Sequence, residues 1–548
     1  MASDHLRDEK LQNSSKGEHR PRWYSEGFYS TRSFGEDLAA GFSSRSSLEY
    51  VFLSNGEIEV VSLRELDSQI QTVAANLFRI GIRSGDVVAL QTPHRREGLI
   101  ALHAIIRLGS IPLPLIHNLG FSELNFILRQ SQASAVVMPD RWRNINFLER
   151  IVKLDVPSIK HFIVIGSEIP LGAIAWTELE EANGLDFETP DNEGDDPFML
   201  LYTSGSTAQP KGVLHSHNTI RAELHSPALR NQGSEHGIHL GAGPAGHIGG
   251  TYNQMRLSLY GLKMVLMDAW DAVAAATLVH DFSVTGSSGT PFFLSGLLDA
   301  AEEMNIDVSS LVNYQLGSAP VPRALVERAT ARGMSVYRAW GSTEFPTGST
   351  TQSDTPLEKL YATDGRPTPG VTIKILDSLG EKLPIGVDGE IFVRGPQLFC
   401  GYLDDSSNSD RGSLVERVKD VGEWFNTGDV GHLDDEGYLT LTGRTKDIII
   451  RGGENISASE LEEALLEYPG VREAAVIALP DLVYGEKACA VLVMKSGSEI
   501  NLDLLRDYFD KSGLARHKIP ERLELMSELP RNPFGKLNKS ELRAKFGV

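Results

Sequence analysis

Between Tyr202 and Val213 the chain reads Tyr202-Thr203-Ser204-Gly205-Ser206-Thr207-Ala208-Gln209-Pro210-Lys211-Gly212-Val213. The hydroxyls of Thr203, Ser204, Ser206 and Thr207 surround Gly205, and a single cation, Lys211, follows. Small residues let backbone N–H groups and hydroxyls converge on phosphate oxygens, and a Lys adds a point charge. The stretch is not a Walker A loop, which needs Gly directly before the Lys and Ser or Thr after it. Here Pro210 precedes Lys211 and Gly212 follows it. The loop points to a nucleotide held in another geometry, and by itself a surface turn explains it equally well. Downstream segments add carboxylates, cations and an aromatic. They are Gly317-Ser318-Ala319-Pro320, Ala339-Trp340-Gly341-Ser342-Thr343-Glu344, Trp424-Phe425-Asn426-Thr427-Gly428-Asp429, Gly443-Arg444-Thr445-Lys446-Asp447 running into Arg451-Gly452-Gly453-Glu454-Asn455, and Pro530 to Lys539 around Lys536.

In this order, and over most of the chain, the set resembles the acyl-adenylate-forming (AMP-dependent synthetase/ligase) superfamily, most of all its stand-alone acyl-CoA synthetases. The resemblance implies roles for residues at matching positions. Thr203, Ser204, Gly205, Ser206, Thr207 and Lys211 would hold the ATP phosphates. Gly317, Ser318 and Ala319 would line the adenine site, and Trp340, with Gly341, Ser342 and Thr343, would place a ring against the base. Glu344, with Thr207, would hold Mg²⁺, a cation that takes oxygen ligands and only one or two carboxylates. Asp429 would bind the ribose hydroxyls, since one carboxylate accepts two hydrogen bonds, and Arg444 would contact ribose or phosphate. Lys446 falls on the hinge position, and Arg451, Gly452 and Gly453 would line the CoA path. Ala208 departs from the family's usual Gly. If the backbone there needs φ > 0, Ala carries a strain of ~1 kcal/mol.

Lys536 resembles the catalytic lysine of the first half-reaction. A carboxylate attacking the α-phosphorus of ATP brings two anions together, and an ammonium touching both offsets the repulsion. It serves one step, so a mobile domain can carry it. His247, in Pro244-Ala245-Gly246-His247-Ile248-Gly249-Gly250, matches a segment bordering the acyl carboxylate, although a lone His is often structural. His215 and His217 have no further ligand set for a metal. Gly241-Ala242-Gly243-Pro244-Ala245-Gly246, with Asp268 further on, fits the dinucleotide fingerprint, but a lone match deep in the chain is weak. The residues expected to shape the acyl pocket run from about 240 to 319. Phe282, Val284 and Gly286 to Gly289 fall on its wall, while Arg256, Lys263 and Asp281 have no assigned place. The many glycines there suggest a medium-chain or cyclic apolar acid.

These residues need a scaffold. Apolar runs at Asp86–Leu90, Ile111–Leu115, Ala133–Met138 and His161–Ile165 alternate with helical patterns at Leu63–Gly81 and Glu97–Leu108, which predicts parallel sheets covered by helices. Phe198–Leu201 reads as a buried strand leading into the phosphate loop. From about Asp447 the pattern is α+β. Ser457-Ala458-Ser459-Glu460 is a capping box, strands follow at Ala474–Leu479, Ala488–Met494 and Arg522–Met526, and a helix starts at Asn501. The expected organisation is a disordered lead-in over 1–22, a large α/β domain over 23–445 and a small, mobile α+β domain over 446–548. The resemblance adds a β-barrel-like subdomain to the large domain.

Composition narrows the partners. The chain has 548 residues, 41% of them hydrophobic, and a net charge of −21. So acidic a surface is unsuited to nucleic acid. No apolar run approaches the ~20 residues that span a bilayer, and no signal peptide is evident. Two cysteines, Cys400 and Cys489, exclude a disulfide framework and suggest a reducing, cytoplasmic location. The resemblance implies Mg²⁺, ATP, CoA and a small carboxylic acid as partners, with homodimer formation left open. The expected reaction is acyl-adenylate formation followed by transfer to CoA. The alternatives are an acyl-AMP ligase loading a carrier protein, a luciferase-like oxygenase and a non-catalytic nucleotide-binding regulator.

Overall fold

The computed structural model describes residues 19–547 except 152, 183–186, 188–189, 204–209, 228–236, 404–413, 415–417, 420–422, 452–453, 513–517 and 533–534. Two sheets dominate the large domain. In one, the strands Ile111–Pro114, Val87–Leu90, Ala135–Pro139, His161–Ile165 and Ile174–Ala175 lie side by side, all parallel. In the other, Ser335–Trp340, Asn313–Gly317, Gly286–Gly289, Ile238–Gly241, Lys263–Met267 and Glu49–Ser54 run parallel, and short antiparallel strands close both edges.

The helices Leu63–Arg79 and Arg96–Arg107 lie between the sheets. Leu63, Leu66, Ile70, Val73, Ala74 and Leu77 recur at helical spacing and are buried, and Ser62 and Glu65 cap the first turn reciprocally. That face shares one core with Tyr50, Phe52, Met264 and Leu266 of one sheet and Val88, Leu90, Val137 and Ile163 of the other. The outer face of the longer sheet is covered by Ala272–Asp281, Pro291–Glu303 and Arg323–Thr330. The outer face of the five-stranded sheet is covered by Phe121–Ser131. The result is an alternation of five layers.

A four-stranded antiparallel sheet, Thr372–Leu376, Gly389–Arg394, Phe425–Leu433 and Leu439–Arg444, occupies the place of the barrel-like subdomain. It packs around Ile391, Val393, Phe399 and Leu439 together with Trp340 and Phe345. The small domain is built on Val471–Asp481 and Gly485–Met494, with Ile448–Arg451 and Arg522–Leu525 beside the latter. Ser457 caps its helix Ala458–Leu466 by accepting from Glu460 N. Of the disordered lead-in expected over 1–22, residues 1–18 lie outside the described residues. Residues 20–22 begin a helix, Arg20–Ser25, anchored by buried Trp23 and by an Arg20–Asp195 ion pair at 3.4 Å. No helix among the described residues is long and apolar enough to cross a membrane.

The Gly241–Gly246 fingerprint is not built as one. Gly241 ends a strand, the next helix begins only at Ile248, and Asp268 is occupied by Trp142 Nε1 at 2.9 Å and Asn55 N at 3.0 Å. Cys489 is buried and Cys400 half-buried, both as free thiols.

Candidate active site

Several of the singled-out residues stand at strand ends, where parallel sheets open toward ligands. The strand Asn313–Gly317 stops where a Cβ on Gly317 would lie 2.7 Å from the Ala339 carbonyl oxygen. Ser318 follows with φ +66°, a left-handed conformation costly for a residue with a Cβ. The neighbouring strand ends at Trp340, and Gly341 turns the chain where a Cβ would meet the Pro346 carbonyl oxygen at 1.9 Å. Ser342 N donates to the Phe345 carbonyl at 2.9 Å, and the Thr343 carbonyl accepts from His215 at 2.8 Å. These contacts hold Glu344 at the lip of the sheet. Tyr402 donates to Glu344 Oε1 at 2.7 Å, leaving Oε2 for another partner.

An antiparallel pair, Pro197–Thr203 with Lys211–Ser216, flanks the segment 204–209, and Thr203 opposite Lys211 is the last register pair. Ser204, Gly205, Ser206 and Thr207 lie outside the described residues, as do Gly452 and Gly453. Lys211 Nζ sits 5.0 Å from the centre of the Tyr402 ring, so the loop's cation and Glu344 flank the same tyrosine.

Asp429 lies in the strand Phe425–Leu433, directly opposite Arg444. Arg444 Nε reaches Asp429 Oδ1 at 2.8 Å, and Trp340 Nε1 donates to Oδ2 at 2.8 Å. The carboxylate is 5% exposed, while the arginine side chain is mostly open. Trp340 was expected to offer its ring to adenine. The structure instead buries that ring in the barrel-side core, 6% exposed, and its N–H positions Asp429. A buried Trp needs a partner for its N–H, and the carboxylate supplies one.

Lys536 arrives from the small domain. Lys536 N donates to Asn532 Oδ1 at 3.1 Å, Asn532 N donates to the Lys536 carbonyl at 2.9 Å, and Arg531 pairs with Leu537. Gly535, at φ +71°, lies so close to the large domain that a Cβ would stand 2.7 Å from the Phe292 ring and 3.0 Å from Thr290 Oγ1. The Arg531 guanidinium lies 5.1 Å from the centre of the same Phe292 ring. Docking places the Lys536 ammonium in the field of Arg444, Asp429 and Glu344. Burial, helped by Arg444, pushes it down to about 8, against the pull of the two carboxylates. His247 caps the helix Ile248–Asn253 by accepting from Gly249 N. Burial, then the nearby Lys536 charge, pushes its imidazole down to about 3, so it is neutral at pH 7.

Lys446 follows Thr445, whose N donates to the Gly428 carbonyl at 3.0 Å, and precedes Asp447, which pairs with Arg543 at 2.7 Å. It stands between a residue tied to the large domain and one tied to the small. Burial first, then Lys211 and Arg444, hold its ammonium below the usual lysine range. Arg451 is not at this cluster. It pairs with Glu521 at 2.7 Å and lies over the Tyr484 ring at 4.0 Å, both within the small domain.

Lys211, Arg444, Lys446 and Lys536 thus converge around Glu344 and Asp429, four cations against two carboxylates. In a chain of net charge −21, this local excess suits a polyphosphate. Glu344 fits a hard divalent cation through its open oxygen. The acidic group Asp434, Asp435 and Glu436 sits apart, and Asp434 there is already paired with Lys359 at 2.6 Å. Motif reading missed Tyr402, which carries no signal beyond an aromatic in an apolar run. It also missed Thr290 and Phe292, the seat of the Lys536 loop, which reads as the start of a core helix.

A five-layer α/β domain, with a small α+β domain packed on it through the Lys536 loop among other contacts, defines a two-domain fold of the adenylate-forming type. The chain belongs to the acyl-adenylate-forming superfamily: residues 39–403 match the AMP-binding enzyme family, and residues 460–536 match the AMP-binding enzyme C-terminal domain. It is 30% identical over 483 residues to the medium-chain fatty-acid–CoA ligase of Escherichia coli (strain K12), covering 87% of this chain and 84% of that one. It is 30% identical over 500 residues to the salicyl-AMP ligase / salicyl-S-ArCP synthetase of Mycobacterium tuberculosis (strain ATCC 25618 / H37Rv), covering 89% and 86%. Among solved structures, ATP-bound MatB from Rhodopseudomonas palustris superposes with a TM-score of 0.80 at 26% identity, over 93% of this chain and 99% of that one.

Proposed function

We propose that the protein is an acyl-CoA synthetase that activates a carboxylic acid with Mg·ATP and passes the acyl group to CoA. The observation that carries this reading is the docking of Lys536 beside Asp429, Glu344 and Arg444. Asp429 takes the ribose hydroxyls, with Trp340 fixing the carboxylate. Lys211, Arg444 and the loop hydroxyls, Thr203, Ser204, Ser206 and Thr207, take the phosphates. Gly317, Ser318 and Ala319 border the base. Glu344, positioned by Tyr402, would hold Mg²⁺, which supplies charge neutralisation on the phosphates.

In the first step an acid oxygen bonds to the α-phosphorus, and the bond from that phosphorus to the bridging oxygen breaks, releasing pyrophosphate. Lys536 contacts both anionic partners and lowers the cost of their approach. Neutral His247 borders the acid without adding charge. In the second step the CoA sulfur bonds to the acyl carbon and AMP leaves with the electron pair. Lys536 has no task there. Rotation about Lys446, the boundary between domains of 23–445 and 446–548, withdraws it and brings Arg451 and the 452–453 segment toward the CoA path. Arg451 lies away from the cluster while Lys536 is docked, as this exchange requires.

The Mycobacterium tuberculosis relative favours a second reading, transfer to a carrier protein. A panel of acids, scored for pyrophosphate release and then for thioester mass with CoA or with a holo-carrier protein, separates the two. Acid-dependent pyrophosphate release with a CoA thioester supports the proposal. Thioester on the carrier alone overturns the acceptor, and no acid-dependent pyrophosphate overturns the whole reading.

A further inference from the structure

Behind the site lies a group of polar side chains that the reaction above does not use. Glu223, near the end of the helix His217–Leu224, is 3% exposed. Its Oε1 accepts from Thr347 at 2.6 Å, and its Oε2 has no partner among the described residues. Ser226 Oγ and Tyr252 OH are also buried without a partner among the described residues. Arg256 opens the helix Arg256–Tyr260 and makes no hydrogen bond or ion pair among the described residues. Its charge acts on Glu223, Tyr252 and His239. His239 stands in the strand Ile238–Gly241 with its Nε2 3.4 Å from Ser288 Oγ of the next strand. By contrast Lys263 and Asp281 are exposed and leave the pocket.

The placement ties this group to the reacting end. Tyr252 lies five residues along the helix that His247 caps, or about 7 Å at 1.5 Å per residue. Thr347, which holds Glu223, follows Glu344 by three residues. Ser288 is in the strand whose parallel neighbour ends at Gly317. The group therefore sits on the same elements that carry His247, Glu344 and Gly317.

We propose that this group is the far end of the acyl pocket, where Arg256, Tyr252 and Ser226 recognise a neutral oxygen function, a hydroxyl or keto group, remote from the carboxylate being activated. The inference rests on the adenylate-forming reading and names its substrate class. A plain hydrocarbon tail would leave two buried hydroxyls and a carboxyl oxygen unpaired, at about 1–3 kcal/mol for each such group. A hydroxyl or keto oxygen accepts from Arg256 and Tyr252, and a hydroxyl also donates to Glu223 Oε2. A second carboxylate would meet the Glu223 oxygen, which burial pushes up to about 7 and which is thus part-ionised at neutral pH. The glycine-rich wall suggests a medium-chain or cyclic apolar acid, and this proposal adds a polar function at the far end of such a chain.

The test uses stable acyl-sulfamoyl adenosines, mimics of the acyl-adenylate, with hexanoyl, octanoyl and decanoyl tails, each plain, ω-hydroxy, ω-oxo or ω-carboxy. Binding to the whole protein is measured by calorimetry. At the best-fitting length the hydroxy or oxo tail binds tighter than the plain tail by roughly tenfold or more. Arg256→Met removes that difference, weakening the hydroxy and oxo tails and holding or tightening the plain one. Tyr252→Phe and Ser226→Ala, smaller changes that keep the fold if Arg256→Met does not, each narrow the preference. Equal or tighter binding of the plain tail at every length overturns the inference, as does an equal loss for both tails in Arg256→Met. So does tightest binding of the ω-carboxy tail. If no analogue binds at all, the adenylate-forming reading falls and takes the inference with it, an outcome distinct from binding without preference.

Discussion

The two sides of the site are built differently. On the large domain, Asp429 is fixed by a tryptophan N–H and an arginine from the adjacent strand, and Glu344 by a tyrosine hydroxyl and a pinned backbone. On the small domain, Lys536 reaches the site from a loop, and Lys446 joins it at the domain boundary. The Lys536 loop rests on the large domain through Gly535 and Arg531 against Thr290 and Phe292. Carboxylates held by partners on their own domain cannot leave without losing hydrogen bonds to charged groups, about 1.5–3 kcal/mol each. A loop seated on one phenylalanine can. In the function proposed above, the difference makes the half that holds nucleotide the fixed one and the half that overcomes anion repulsion the one that comes and goes.

Lys536→Ala tests that contrast most severely. Acid-dependent pyrophosphate release should fall on the order of a thousandfold, as when a charge-stabilising group is removed from a transition state. Thioester formation from supplied acyl-adenylate should change less than about threefold; equal losses in both steps would break the contrast. Asp429→Ala should raise the KM for ATP on the order of a hundredfold, since it removes the acceptor of Trp340 and Arg444 as well as of ribose. An unchanged KM would remove Asp429 from the nucleotide site. Lys446→Pro should slow thioester formation about tenfold and leave pyrophosphate release within a few-fold, because it stiffens the pivot and not either half of the site. An unaffected second step would reject Lys446 as the pivot.

The smallest effect expected is on pH. Lys536 acts as an ammonium, and burial lowers it to about 8. The rate of adenylate formation by free enzyme should therefore hold below that value and decline as pH rises through it, while thioester formation from supplied adenylate shows no such limb. Lys536→Ala should abolish the limb.

The half on the large domain was the more legible in sequence. Alternating strands and helices fixed the layered domain because their apolar periodicity is local, as in the run from Leu63 to Leu77. Glu344, Asp429, Arg444 and Lys536 stood out because the motifs that carry them resemble, in this order, those of the adenylate-forming superfamily. What escaped was the pairing between distant segments. Tyr402 with Glu344, Trp340 with Asp429 and Gly535 with Phe292 are separated by tens to hundreds of residues, and no periodicity announces them. Arg256 was visible as a charge in an apolar stretch, but its nearness to Glu223, Tyr252 and His239 joins segments that spacing alone does not connect.

The most direct measurement is a rapid-quench experiment on the wild-type protein with Mg·ATP and a turned-over acid, CoA withheld, and products identified by mass. The account predicts that a mixed anhydride of the acid with AMP accumulates on the enzyme, in step with pyrophosphate, and is chased to thioester when CoA is added. Thioester formed without any preceding AMP anhydride, or pyrophosphate released with no acyl-AMP, would contradict it.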